Sequence, residues 1–180
     1  MHVGMLAGFG SALRLIAPGV GTPIGTMTAG GGLAGAFDGV TTDNYQGSGK
    51  TSAMSSGFAG TAHIGKRWTA ARTIRRVRAY SSTSGWDQAS QGAIIEFIVQ
   101  GSNDTTTGLN GTWANLYSEN RSDVWGSQAI IDITPASGLV VTTAYLAHRL
   151  YLRCTNYDGV SSGMLNFVVA ELELYDYSYI

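Results

Sequence analysis

The chain has 180 residues, 44% of them hydrophobic and only 13% charged, with a formal net charge of −1. That length suggests one domain, able to bury a sizeable core without disulfides or metals, and the near-zero charge excludes bulk attraction to nucleic acid or an anionic membrane. No apolar run approaches the roughly 20 residues of a membrane-spanning helix.

Twenty-five glycines, abundant Ser and Thr, and β-branched and aromatic runs read as an all-β chain with many turns. Residues 1–27 are Gly-rich and apolar, carry Pro18 and Pro23, and show neither helical nor strand alternation. They are predicted to be an N-terminal arm for anchoring or oligomerisation, preceding a β-sandwich over 28–180. Free disorder and packing on the domain itself are the other readings; the apolar content favours docking over free disorder, and a homo-oligomer is expected. The opening superficially resembles a signal peptide, but it lacks a basic start and Arg14 interrupts its apolar core, so it is expected to be retained.

Strands are predicted over 72–82, 93–102, 112–119, 128–135, 148–156 and 165–179. The second, AIIEFIVQGS, is nearly continuous apolar, as a central strand covered on both faces must be. Turn-rich loops separate them, NDTTTGLNG among the clearest. No segment keeps a 3.6-residue period over three turns, and a two-sheet jelly roll follows.

Over half of the cations lie in one stretch: Lys66, Arg67, Arg72, Arg75, Arg76 and Arg78. Nucleic-acid contact is one reading; period-two spacing, which places several of them on the solvent face of one strand, is the favoured one. Cys154 is alone and cannot close an internal disulfide, and its apolar flanks point to a buried thiol. His2, His63 and His148 are widely spaced, the latter two at predicted strand starts, where imidazoles commonly satisfy backbone groups. Neither a G-x-S-x-G elbow nor an H-E-x-x-H pair occurs, so no catalytic set is expected.

The order of the pieces AFDGVTTDNY, HIGKRWTAARTIRRVRAYSS, EFIVQGSND…GTWANLYSE, HRLYLRCTN and AELELYD resembles the discoidin family, also called coagulation factor type C domains. These are galactose-binding-like jelly rolls, and the resemblance spans about residues 28–177. Val40 stands where the family usually has Asn or Asp, Asp43 replaces its Thr and Tyr45 its Trp. The turn between Asp104 and Trp113 is lengthened. The paired terminal cysteines of many extracellular members are absent, which suits a microbial or viral protein.

The resemblance implies that the D-G loop wraps a structural calcium ion. Its ligands would be Asp38, Asp43 and Glu171, with the carbonyls of Ala36 and Val40. Calcium takes six to eight oxygens and accepts carbonyls freely. An ordinary turn is the competing reading, because Asp and Asn side chains bond nearby backbone amides and strand alternation from Glu173 and Tyr175 would leave Glu171 on a wet face.

Ligands of such jelly rolls are held by loops at one end of the sandwich. Residues 81–92 offer Trp86, Asp87 and Gln88; 118–128 offer Arg121, Asp123 and Trp125; 155–163 offer Asn156, Tyr157 and Asp158. An aromatic plate covers the C–H face of a sugar while polar groups take up its hydroxyl rim. The same aromatics serve equally to cap the sandwich ends, and Trp68 and Trp113 read as core or strand-edge residues. The expectation is a non-catalytic carbohydrate-binding module displayed on a larger assembly. A virion surface is the expected setting, with the chain as a bacteriophage head fibre, decoration protein or tail-associated adhesin binding a host surface glycan. The alternative is a purely structural decoration or cement protein of a viral particle.

Overall fold

The computed structural model describes residues 12–42, 52–55, 60–83, 94–121, 129–154 and 166–178. The strands in chain order are β1 Ala12–Leu15, β2 Thr22–Gly25, β3 Ala29–Gly30, β4 Ala53–Met54, β5 Thr61–Arg72, β6 Arg76–Tyr80, β7 Ile95–Ser102, β8 Ala114–Arg121, β9 Ile130–Ile133, β10 Tyr145–Cys154, β11 Val168–Val169 and β12 Glu171–Ser178. They build a four-stranded sheet ordered β1-β12-β6-β9, a five-stranded sheet ordered β2-β5-β10-β7-β8, and a small three-stranded sheet ordered β11-β4-β3. Every pairing is antiparallel. The chain is an all-β jelly roll, as its composition predicts.

Alternation explains the four-stranded sheet. Val77 and Ala79 of β6, Ile131 and Ile133 of β9, and Leu172 and Leu174 of β12 turn inward and are buried. Between them Arg76, Arg78, Asp132 and Glu173 face out, as a half-buried strand requires. Ile64, Trp68, Ile95, Phe97, Leu150 and Leu152 supply the facing wall from the five-stranded sheet. Each such side chain removes about 1.5–3 kcal/mol worth of apolar surface from water. Cys154 lies in this core, buried as expected.

Three expectations are corrected. Residues 12–27 are no arm: β1 pairs with β12, β2 pairs with β5, and Ile16, Ile24 and Met27 are buried. Pro23 is tolerated because β2 is the outer strand of its sheet, and Gly21 supplies the positive φ of 80° that the β1–β2 turn needs. Second, the 12-residue β5 precedes the predicted strand 72–82, which is itself broken at 73–75. Gly65, Lys66 and the Ala70–Ala71 pair conceal it, since none is a strand former.

Third, the basic stretch is not one solvated face. Lys66 and Arg67 belong to the five-stranded sheet, Arg76 and Arg78 to the other, and Lys66 is buried at 2% exposure. Its ammonium donates to the carbonyls of Pro18 and Val20, the latter at 3.1 Å, and sits 4.5 Å from the Phe37 ring centroid. On β6 the arginines meet acids of the neighbouring strands: Arg76 reaches Asp132 on the diagonal, and Arg78 pairs with Glu173 directly opposite, at 3.4 Å.

Removing residues 1–27 takes away two strands and three core side chains, so the remaining chain is expected to lose cooperative unfolding. Thermal melting followed by circular dichroism checks this, and a truncated chain that melts like the whole would show that β1 and β2 are dispensable.

Candidate functional site

The register brings the roots of the three predicted ligand loops to the same end of each sheet. Ile95 lies opposite both Cys154 and Arg121, and Tyr80 lies opposite both Glu171 and Ile130. Segments 84–93, 122–128 and 155–165 therefore leave from strand ends that are neighbours. Of the predicted ligand residues, Arg121 is described. It ends β8, half-buried, in an ion pair of 3.1 Å with Glu119, which also accepts the Tyr117 hydroxyl. Trp86, Asp87, Trp125, Asn156 and Tyr157 lie outside the described residues, as does Asp43.

The D-G loop sits at this end too. A short 3-10 turn, Leu33–Phe37, buries Ala36 and Phe37 and delivers the chain to Asp38. Gly39 then takes a φ of 84°, a conformation that favours glycine. Its N–H donates to Glu171 Oε2 at 3.1 Å, and the Val40 N–H donates to Asp38 Oδ1 at 2.8 Å. Glu171 is 4% exposed, not on a wet face. Alternation fails here because the D-G loop folds over the start of β12, where its Gly39 N–H meets the Glu171 carboxyl. Burial pushes the Glu171 carboxyl up to about 7, the Gly39 N–H pulls it back in part, and the nearby Asp38 charge adds to the rise.

Asp38 and Glu171, two of the implied calcium ligands, are thus brought together, but their oxygens accept amide N–H groups. Calcium asks for converging oxygens, and no group of three His, Cys, Asp or Glu side chains among the described residues is placed to hold a metal. The described part of the loop has the chemistry of an Asx turn closed by a buried carboxyl. It does not by itself compose a calcium site.

Two features were not legible in the sequence. Arg149, 8% exposed on the outer side of β10, donates to Gln100 Oε1 at 2.7 Å and to the Gly108 carbonyl at 2.6 Å, with its Cζ 3.8 Å from the Trp113 ring centroid. It fastens the lengthened 103–113 loop to the sheet. Asp104 closes that loop by accepting from the Thr112 N–H at 2.7 Å and the Ser102 hydroxyl at 2.8 Å, bonds that hold its carboxyl below the ordinary range.

The two described histidines sit within strands and not at their starts. His148 Nδ1 accepts the Trp68 indole N–H at 2.9 Å, and burial lowers the imidazole to about 3. His63 stacks on Tyr151 with centroids 6.0 Å apart; burial first, then the Arg149 charge, lower it to about 4. Both rings are packing elements, neutral at physiological pH.

A scan of protein-family models finds no match, and neither does a comparison with curated proteins. Solved structures do match. A family 32 carbohydrate-binding module from C. perfringens NanJ, in complex with galactose, aligns with a TM-score of 0.58 at 14% identity, covering 92% of this chain and 100% of its own. A fucose-binding module of Streptococcus pneumoniae aligns at 0.55 and 17% identity, covering 91% and 100%. A mutant form of chitosan-binding module 1, derived from a chitosanase/glucanase of a Paenibacillus species, gives 0.55 and 20% identity, covering 90% and 99%. The chain has the discoidin-like, galactose-binding-like jelly-roll fold of these carbohydrate-binding modules.

Two outcomes follow for the loop. A chelator is expected to leave the melting midpoint unchanged; a fall would reveal a structural ion. The folded Glu171 carboxyl lies near 7 against an ordinary 4.5, so its contribution is intact below pH 4.5 and is lost as pH climbs through 7. Glu171→Gln should therefore melt a few degrees above the wild type at pH 8, with the gap closing at pH 4.5. Calorimetry at the two pH values decides, and an equal gap at both refutes the assignment.

Proposed function

We propose that this chain is a non-catalytic glycan-binding module whose ligand is held by the loops 81–92, 118–128 and 155–163. The convergence of their roots on one end of a rigid sandwich carries this reading, with Arg121 fixed at the rim by Glu119. The segments carry Trp86 with Asp87, Trp125, and Asn156 with Tyr157. Ring faces suit sugar C–H surfaces, and the amide, carboxylate and guanidinium groups suit the hydroxyl rim. The similar solved modules include ones whose names state galactose, fucose and chitosan as ligands, and ligand loops on such a scaffold vary freely.

Single-site contacts of this kind are weak and become useful when many copies are displayed. Display on a virion surface, with a host surface glycan as target, is the setting we infer. An exposed apolar pair supports attachment to a larger assembly: Leu13 and Leu15 on the edge strand β1 are 40% and 44% exposed. The same pair supports a second reading, a structural decoration protein held through this edge with no glycan of its own.

A glycan array separates the two. Trp86→Ala and Trp125→Ala are each expected to weaken glycan capture by about 3- to 10-fold with melting unchanged. An array on which the wild type binds nothing would favour the structural reading.

A further inference from the structure

The turn between β5 and β6 lies at the opposite end of the sandwich from the loop cluster, and a cavity of about 310 Å³ opens beside it. Arg72, Thr73, Arg75, Asp176 and Tyr177 line it, with the methyl groups of Ala70 and Ala71. Four arginines crowd this turn, and three are answered by acids. Arg72 pairs with Asp176, Arg76 with Asp132, and Arg78 with Glu173. Arg75 has no acid partner among the described residues. Its backbone N–H is anchored to the Tyr175 carbonyl at 2.7 Å, and its guanidinium lies 4.8 Å from the centroid of the Tyr177 ring. That ring is 44% exposed.

The lining thus holds two guanidiniums against one carboxylate, and so lacks one negative charge. A guanidinium fork matches a carboxylate in shape and in hydrogen-bond pattern. The volume falls at the lower end of the range for small-ligand pockets. Beside the fork stand an aromatic ring for a C–H face and a threonine hydroxyl for a rim of oxygens.

We propose that this cavity is a second subsite, which takes the carboxylate of an acidic sugar, a uronic acid residue, with Arg75 as its receptor. The proposal rests on the glycan-binding reading for the class of ligand and not for its position. The separation of the two ends would let one chain hold two points of an acidic polysaccharide.

Titration of the full chain with a galacturonate tetramer, and with the same tetramer fully methyl-esterified, tests this by calorimetry. The acid form is expected to bind, with affinity falling as salt rises, and the ester to bind about tenfold more weakly or not at all. Arg75→Gln should cost about tenfold, while Arg75→Lys keeps part of the affinity. Both variants should melt with the wild type, since the anchoring N–H belongs to the backbone. An Arg75→Gln protein that binds the acid form like the wild type overturns the proposal, as does equal binding of acid and ester, or no binding of either. Binding at Arg75 of a polyaspartate peptide but not of the uronate would also overturn it and mark the surface as a protein contact. Neutral-glycan capture by the loop end is independent: its loss in Trp86→Ala leaves the subsite standing, and failure here leaves the loop end standing.

Discussion

The Lys66 ammonium is buried between the two sheets, and much of the molecule is arranged to keep it there. Taking an ammonium out of water costs several kcal/mol unless polar partners replace the solvent. Here the carbonyls of Pro18 and Val20 do so, the Phe37 ring adds its quadrupole, and the Glu171 carboxyl supplies opposite charge nearby. These partners come from the β1–β2 turn, the 3-10 turn and the start of β12. One side chain thus ties the N-terminal strands to the D-G loop and to the last strand. Burial pulls both ionisable groups toward neutrality, lowering Lys66 and raising Glu171. They line the same small cavity of about 30 Å³, which is large enough for one water.

That linkage explains why the D-G loop looks the way it does. A buried carboxyl needs donors, and the tight turn at Gly39 offers amide N–H groups at the right place. The described part of the loop closes as a turn on that carboxyl. The same logic governs the basic stretch on β6. Each guanidinium there faces an acid across the sheet, so what reads in the sequence as a positive patch is a neutralised surface. Arg75 escapes because it sits in the turn, where no neighbouring strand can offer a partner in register.

The sheet faces are held rigid. β10 is paired on both sides along its length, with β5 and with β7, and its outer face is clamped by Arg149 onto the 103–113 loop. Aromatic rings used here are spent on packing: Trp68 in the core, Trp113 on Arg149. Trp86 and Trp125 are the remaining tryptophans, and both fall in the segments that leave the sandwich at the loop end.

The sequence by itself determined the fold class, the number of large strands after residue 72 and the order of the turns. Period-two alternation in RVRAY, QAIIDITP and ELELY needs no partner to be read. It also singled out the three candidate ligand loops, because turn residues and large aromatics are local signals. Only the tertiary structure decided which faces are wet. β5 was hidden because Gly65 and the run around Lys66 lack strand propensity, and partners on both sides override propensity. Residues 12–27 became strands for the same reason: an edge of another strand was waiting for them. Glu171 is buried because a loop 132 residues away in sequence folds across it, and alternation knows nothing of what lies on top of a sheet.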